Sequence, residues 1–101
     1  MTVTSHLVTG GTGTLGRLVV PRLRAAGYRV RVLSRHRHES GDDVEFVVGD
    51  LGTGEGLDAA VDGVETIVHC GGSPKGDGDK ARNLVRAASR AGAQHLVYIS
   101  V

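Results

Sequence analysis

The chain has 101 residues, 40% of them apolar and 23% charged, and its formal net charge is +1. This length allows one globular domain and excludes two compact ones. The near-neutral charge excludes a large basic face for nucleic acid, and the sequence has no apolar run of the ~20 residues that cross a bilayer.

The chain contains a single cysteine, Cys70. This residue cannot form an internal disulfide, and the sequence has no CxxC pair for a zinc site. Residues 1–11 lack the basic start and the apolar stretch of a secretion signal. The sequence therefore predicts no metal site and favours a reducing compartment, the cytoplasm.

Strand-like runs alternate with helical patterns along the whole chain. A strand is predicted over about residues 3–9, and the helix that follows is predicted to end at Gly27. Pro21 lies inside this helix, where it deletes the backbone hydrogen bond to Arg17, so we expect a bend there. The apolar face of the helix is predicted to carry Leu15, Leu18, Val19, Leu23 and Ala26.

Two further strands are predicted over residues 28–34 and 44–48, followed by a short helix over about residues 55–61. A fourth strand over residues 65–70 leads through a glycine-rich loop to a third helix, which ends at Gly92. The apolar face of the third helix is predicted to carry Ala81, Leu84, Val85, Ala88 and Ala91.

Residues 94–101 are predicted to form a fifth strand, and helical connections require the strands to run parallel. Right-handed crossovers on both faces give an α/β fold, a three-layer doubly wound parallel sheet in the order 3-2-1-4-5. A ligand crevice is expected beyond the carboxyl ends of the strands, where the order reverses between the first and the fourth. The residues expected at this edge are Gly10 to Gly16, Ser34 and Arg35, Asp50, Cys70 to Ser73, and Ser100.

A glycine-rich turn joins the first strand to the first helix. Residues 11–16 fit G-x-G-x-x-G, and the same stretch read from Gly10 fits G-x-x-G-x-x-G. Glycine permits a tight turn and the close approach of a pyrophosphate, and the unpaired N–H groups of the helix's first turn attract an anion. A turn without a ligand is the alternative, and a nucleoside triphosphate loop is disfavoured because no Gly-Lys-Ser/Thr follows. The predicted dinucleotide contacts in this turn are Gly10, Thr12, Gly13, Thr14, Leu15 and Gly16.

The end of the second strand indicates which dinucleotide binds. A domain that prefers NAD has an acidic residue there, ~20 positions after the glycine turn, which accepts from the ribose 2′-hydroxyl. This chain has Ser34 and Arg35 instead, and a guanidinium pairs with a 2′-phosphate through two charge-assisted hydrogen bonds. NADP rather than NAD is therefore the predicted cofactor, and a solvated loop is the alternative for Arg35 and the basic residues that follow it.

Taken together, these motifs resemble the atypical short-chain dehydrogenase/reductases, in particular the NmrA-like and sugar-nucleotide-epimerase-like NAD(P)-binding proteins. The resemblance extends over nearly the whole chain and implies a Rossmann fold. It is carried by residues 9–17 (TGGTGTLGR), 33–35 (LSR), 49–51 (GDL), 63–69 (GVETIVH) and 95–100 (HLVYIS).

The resemblance also implies roles for residues outside the glycine turn. Asp50 and Leu51 would hold the adenine, with the Asp50 carboxylate accepting from its amino group, and Gly71 and Gly72 would pass beneath the ribose and pyrophosphate. A turn or helix-capping residue is the alternative for Asp50. Asn83 matches a helix position that in relatives helps to order the crevice, and an exposed helical asparagine is the alternative.

The sequence has few candidates for catalysis. In relatives that transfer hydride, a Ser or Thr just past the fifth strand orients the substrate carbonyl, and a Tyr-x-x-x-Lys pair donates the proton. The chain has no such pair, and Ser100 is the nearest candidate for the serine, with an ordinary strand-end serine as the alternative.

His69 and Cys70 end a buried strand, where core packing is predicted and proximity to the cofactor is the alternative.

Relatives continue beyond the fifth strand with further strands and a C-terminal substrate region. We therefore expect residues 1–101 to be the dinucleotide-binding portion of a longer protein, or a partner chain to cover the fifth strand. The predicted function is cofactor binding within an NADP-preferring oxidoreductase of the short-chain dehydrogenase type, acting on a small molecule that the sequence does not specify. The alternatives are a non-catalytic, NmrA-like NAD(P)-binding regulator that senses redox state, and a nucleotide-free scaffold.

Overall fold

Strands and helices follow one another along the chain, which the computed structural model describes over residues 5–10, 14–35, 44–71 and 77–100. The strands within these residues are β1 (Ser5–Thr9), β2 (Arg29–Ser34), β3 (Val44–Val48), β4 (Thr66–Gly71) and β5 (His95–Ser100). The helices are α1 (Thr14–Ala25), α2 (Leu57–Val61) and α3 (Asp77–Ala91).

The strands form one parallel sheet in the order β3-β2-β1-β4-β5. β1 is the central strand, and its Val8 lies opposite Val32 of β2 and Val68 of β4. The order reverses between β1 and β4, because the chain builds outward first on one side of β1 and then on the other. The predicted doubly wound α/β sheet with the order 3-2-1-4-5 is confirmed.

One face of the sheet packs against α2 and α3. Leu7 of β1 and Ile67 of β4 are buried there against Leu57 of α2 and Leu84 of α3. Side chains alternate between the two faces along a strand, so the neighbouring positions face the other way. The valines on that second face are Val8, Val30, Val32 and Val68, and α1 covers them with Val19, Val20 and Leu23. Helices on both faces give the three-layer arrangement.

The outward-facing residues of α1 differ from the prediction at two positions. Leu18 is 58% exposed and Ala26 lies in the exposed turn after the helix, so neither belongs to the buried face. Pro21 lies inside α1, and the helix continues through it to Ala25. Gly27 ends this segment with a φ of +91°, as predicted for a glycine at a helix C-terminus.

The buried stripe of α3 also differs from the prediction. It consists of Leu84, Ala87 and Ala88, whereas Val85 is 48% exposed and Ala91 is exposed. The spacing of the buried stripe is i, i+3, i+4, which places its members on one side of the helix. Adjacent helix positions lie about 100° apart around the axis, so Val85 turns away from the sheet when Leu84 faces it.

β5 forms one edge of the sheet, and its Leu96 and Val97 side chains are exposed. The covering of β5 by a further part of a longer protein or by a partner chain stays a prediction. Among the described helices, none combines the length and the apolar composition that a membrane span requires.

Candidate functional site

The carboxyl ends of β1 and β4 approach each other closely at the predicted crevice. Gly10 follows β1 with a φ of +74°, and a Cβ at this position would lie 2.6 Å from the carbonyl oxygen of Cys70 in β4. Both observations exclude an ordinary side chain at position 10. The positive φ of Gly10 agrees with the tight turn predicted for glycine, and the close approach of β4 is a second requirement that the sequence analysis did not give.

The glycine turn leads directly into α1, which begins at Thr14. The first-turn N–H groups of a helix have no partners within the helix, and α1 begins five positions after Thr9, the last residue of β1. Leu15 belongs to this first turn, and Gly16 is buried behind it. Thr12, Gly13 and Gly72 lie outside the described residues.

A buried polar pair lies beneath this turn. Thr9 of β1 and His69 of β4 are register partners, and Thr9 Oγ1 and His69 Nδ1 share a hydrogen bond of 2.5 Å. Both side chains are buried, on the face that packs against α2 and α3. His69 is buried as predicted, but it makes a specific polar contact between the two strands that flank the crevice. The sequence analysis missed this contact, although both residues stand at the ends of adjacent strands.

Ser34 and Arg35 lie at the same edge of the sheet, at the end of β2. Ser34 is buried, and its carbonyl oxygen accepts a hydrogen bond of 2.9 Å from the N–H of Gly49 after β3. Arg35 is exposed, and within the described part of the chain its guanidinium forms no ion pair. An exposed cation is thus present where the 2′-phosphate is predicted, with no counter-charge among the residues that the structure describes.

The loop after β3 is closed by its own hydrogen bonds. Asp50 Oδ1 accepts from the N–H of Gly52 at 2.7 Å, so Asp50 makes a turn contact of the kind considered as the alternative, and its contact with adenine stays a prediction. The Asp50 N–H donates to Glu55 at 2.8 Å, and its carbonyl accepts from Gly54 at 2.8 Å. Leu51 is half-buried against the apolar core. The turn occupies one carboxylate oxygen of Asp50 and leaves the second able to accept.

Asn83 on α3 contacts this loop from outside. Its Nδ2 donates to the carbonyl oxygens of Leu51 at 2.7 Å and Gly52 at 3.3 Å. The side chain is half-buried, so the alternative of an exposed helical asparagine is wrong.

The opposite wall of the crevice is the end of β4. Cys70 is half-buried there, and burial raises the pKa of its thiol above the ordinary value. Gly71 ends the strand and pairs in register with Ser100, which ends β5 at the same edge. The catalytic role considered for Ser100 stays a prediction.

The donors and acceptors at this edge match the parts of a nicotinamide dinucleotide. Helix N–H groups and an arginine without a counter-charge suit phosphates, and a carboxylate oxygen left open suits an amine. The fold and this site define a Rossmann-type dinucleotide-binding domain.

Comparison with known proteins gives the family. A family model described as NAD(P)H-binding matches residues 10–101. The chain belongs to this NAD(P)H-binding family, and the proteins similar to it include dehydrogenases and reductases.

Three relatives illustrate the similarity. The chain is 37% identical to a ceramide reductase of Caulobacter vibrioides over 93% of its own length and 34% of the relative's. Uronate dehydrogenase from Agrobacterium tumefaciens, in a mutant complexed with NAD, superposes with a TM-score of 0.83 at 30% identity, over 98% of this chain and 41% of that one. The triphenylmethane reductase of Citrobacter sp. complexed with NADP(H) superposes with a TM-score of 0.78 at 30% identity, over 93% of this chain and 36% of the reductase. The chain spans about a third of the length of the curated relatives that it matches.

Proposed function

We propose that the chain is the dinucleotide-binding portion of an oxidoreductase of the short-chain dehydrogenase/reductase type, and that it prefers NADP to NAD. Arg35 carries this proposal. It is exposed directly after β2, without a carboxylate partner in the described residues, at the position where an NAD-preferring domain has an acidic residue.

Each described group has one task in this proposal. The first turn of α1 receives the pyrophosphate, and Arg35 with Ser34 binds the ribose 2′-phosphate. Asp50 and Leu51 hold the adenine, and Gly71 allows the ribose to approach β4. When bound, the dinucleotide supplies the hydride chemistry.

The comparisons support a nicotinamide dinucleotide without choosing between its two forms. One similar structure is described with NAD and another with NADP(H). The choice of NADP therefore rests on the charge at the end of β2, because a guanidinium gains two charge-assisted hydrogen bonds only when the ribose carries a phosphate.

A non-catalytic, redox-sensing regulator is the second candidate. These 101 residues contain no Tyr-x-x-x-Lys pair, and the rest of the full-length protein decides between the two candidates. A Tyr-x-x-x-Lys pair in the full-length protein would favour the oxidoreductase, and a full-length protein without one would favour the regulator.

Titration of the purified chain with NADPH and, separately, with NADH tests the cofactor assignment, with the nicotinamide fluorescence as the readout. We expect NADPH to bind at least about tenfold more tightly, as two charge-assisted hydrogen bonds imply. Arg35→Asp should abolish this preference or reverse it, since a carboxylate repels the phosphate and accepts from a free ribose hydroxyl.

Arg29→Asp is the matched control. Arg29 is exposed at the other end of β2, roughly 20 Å away at the rise of a strand, and the substitution changes the net charge equally. It should leave the ratio of the two affinities unchanged. An Arg35→Asp protein that still prefers NADPH would contradict the NADP assignment, and a wild-type chain that binds neither dinucleotide would contradict the proposed function.

A further inference from the structure

The outward side of α1 carries an exposed apolar row. Leu18, Pro21 and Ala25 are exposed, and Leu18 is 58% exposed. Their spacing of three and then four residues aligns them along the helix, on the side opposite the residues that pack on the sheet. A surface helix ordinarily presents polar side chains to water there, so packing within the described residues does not account for this row.

Arginines border the apolar row on both sides. At about 100° per residue, Arg17 and Arg24 lie on one side of the row and Arg22 on the other, and all three side chains are exposed. Residues 1–38 contain no Asp or Glu. Within the residues that the structure describes, Arg17 and Arg22 form no ion pair. This outward side, here called the α1 surface, consists of Arg17, Leu18, Pro21, Arg22, Arg24 and Ala25.

The outward row of α3 shows the usual composition of a solvated helix. It includes Arg82, Arg86 and Arg90, at intervals of four residues. Two of these arginines have carboxylate partners, because Arg82 lies 3.5 Å from Asp79 and Arg90 lies 2.8 Å from Asp58. The α1 surface differs in both respects, since it has an apolar row and contains no carboxylate.

A membrane surface with anionic lipids matches the α1 surface in both charge and polarity. Anionic headgroups attract arginine, and this attraction acts within about a Debye length of the surface. An apolar side chain between basic ones, such as Leu18, gains free energy when it enters the boundary between headgroups and acyl chains. Helices that lie in a membrane interface combine these same two features.

Two other kinds of partner match less well. In a two-fold dimer through the α1 surface, the arginines of the two copies would face each other, and like-charge repulsion disfavours this arrangement. Nucleic acid attracts arginine through its phosphates, but its backbone offers no apolar layer in which Leu18 could be buried. Anionic lipid is therefore the partner that accounts for Leu18 and the arginines together.

We propose that the α1 surface docks on anionic membranes, with Arg17, Arg22 and Arg24 at the lipid headgroups and Leu18 inserted between them. This inference goes beyond the proposed function. The membrane would lie along α1 on one face of the sheet, whereas the crevice opens at the carboxyl ends of the strands. Lipid and dinucleotide would thus bind on different sides of the domain.

Cosedimentation of the purified chain with lipid vesicles tests the proposal. The vesicles contain either phosphatidylcholine alone or phosphatidylcholine with about 30% phosphatidylserine. In about 0.05 M salt, we expect the chain to bind the anionic vesicles at least about fivefold more tightly than the neutral ones. Most of this difference should disappear in about 0.5 M salt, because salt screens the attraction.

Three variants separate the contribution of charge from that of apolar contact. Arg22→Glu should weaken binding to the anionic vesicles by at least about fivefold, because it replaces an attraction by a repulsion. Leu18→Asn leaves the charge unchanged and should weaken binding by at least about threefold, because an apolar side chain no longer enters the interface. Arg86→Glu on α3 is the matched control, since it changes the net charge as much as Arg22→Glu does, at an exposed position without an ion pair in the described residues.

The control should bind within about twofold of the wild type, because Arg86 lies on the other side of the sheet from the α1 surface. All three substituted positions are exposed, so the variants should fold, and circular dichroism checks this.

Several results would overturn the proposal. They are equal binding to the two kinds of vesicle, equal losses in Arg22→Glu and Arg86→Glu, and a Leu18→Asn variant that binds like the wild type. The last result, together with binding of a DNA duplex that depends on Arg22, would assign the α1 surface to nucleic acid instead. The full-length protein must also bind the anionic vesicles, because failure there would show that another part of the longer protein covers α1. None of these results affects the dinucleotide titration, so the proposed function is tested separately.

Discussion

Thr9 and His69 join the ends of the two central strands by a hydrogen bond of 2.5 Å between buried side chains, although 60 positions separate them in the sequence. Thr9→Val keeps the shape of the side chain and removes the hydroxyl, so one buried polar atom of His69 loses this partner. We expect the free energy of unfolding to fall by about 1–3 kcal/mol. Urea denaturation measures the change.

Thr9→Ser serves as the matched variant, because it retains the hydroxyl and removes only a methyl group. It should cost about 1 kcal/mol or less. Equal losses in the two variants would show that packing, rather than the hydrogen bond to His69, accounts for the role of Thr9.

The topology could be predicted from the sequence because each strand has a strong local pattern. Val30 and Val32 alternate with arginines in β2, Val44–Val48 contains three valines and a phenylalanine and is followed by a glycine, and parallel pairing follows from the connecting helices. Helix faces were predicted less well. Leu84 and Val85 are both apolar and adjacent, and composition alone does not determine which of them a helix turns toward the sheet.

The parts of the candidate site that a local sequence motif encodes could be predicted. The contacts that depend on the register between strands were missed. Gly10 stands out because glycine spacing and strand-to-helix context can be read from neighbouring residues. The contact between Thr9 and His69 depends on how β1 and β4 align, and this alignment follows from the packing of the whole sheet. The resemblance to relatives indicated that Asn83 helps to order the crevice, but its partners, the carbonyl oxygens of Leu51 and Gly52, depend on how α3 packs and could not be predicted.

Gly10→Ala tests the close approach of β1 and β4. Gly63 provides a matched control, since its φ is +73° against +74° for Gly10, but a Cβ there would meet nothing within 4 Å. Gly63→Ala should therefore cost only the left-handed strain of about 1–2 kcal/mol and leave NADPH affinity unchanged. Gly10→Ala adds a Cβ at 2.6 Å from the Cys70 carbonyl, so it should be less stable than Gly63→Ala.

The dinucleotide titration separates these two variants further. Displacing the Cys70 carbonyl or the glycine turn alters both walls of the crevice, and we expect at least about a tenfold loss of NADPH affinity in Gly10→Ala, equivalent to 1.4 kcal/mol. Similar affinities in the two variants would contradict the role of Gly10 in shaping the site.

Arg31 should contribute more to stability than Arg90, although both contact α2. Arg31 Nη1 donates to the carbonyl oxygens of Ala60 at 2.9 Å, in the last turn of α2, and of Asp62 at 2.8 Å, directly after it. A cation there satisfies carbonyls that lack helical partners and opposes the helix dipole. Arg31→Met, which retains the apolar stem, should cost about 1.5–3 kcal/mol in urea denaturation.

Arg90 forms an ion pair of 2.8 Å with Asp58, and both side chains are largely exposed. Arg90→Met should cost at most about 1 kcal/mol, and less at high salt, because solvent and ions screen an exposed pair. If Arg90→Met were more destabilising than Arg31→Met, the stabilising role assigned to Arg31 at the C-terminal end of α2 would be wrong.

The Cys70 thiol should react slowly and should report on the crevice. Burial raises the pKa of this thiol, so less of the reactive thiolate is present at neutral pH than in a free thiol. Iodoacetamide should therefore alkylate Cys70 more slowly than N-acetylcysteine at the same pH, as followed by mass spectrometry.

Bound NADPH at ten times its dissociation constant should slow the alkylation of Cys70 by about tenfold, because Cys70 lies against Gly10 in the crevice. Alkylation at an unchanged rate with saturating NADPH would contradict this placement.

The same raised pKa predicts how stability depends on pH. As pH rises past the ordinary thiol pKa of about 8.5, the Cys70 thiol loses its proton first in the unfolded chain, while the half-buried thiol of the folded chain stays protonated. The unfolded state then binds fewer protons than the folded state, so the free energy of unfolding falls with rising pH. The stability associated with the protonated Cys70 thiol is fully present below about pH 8.5. It is lost as pH rises through the raised pKa of the folded chain. Cys70→Ala should show a shallower loss of stability than the wild type above that pH, and parallel curves for the two proteins would rule out a buried neutral thiol.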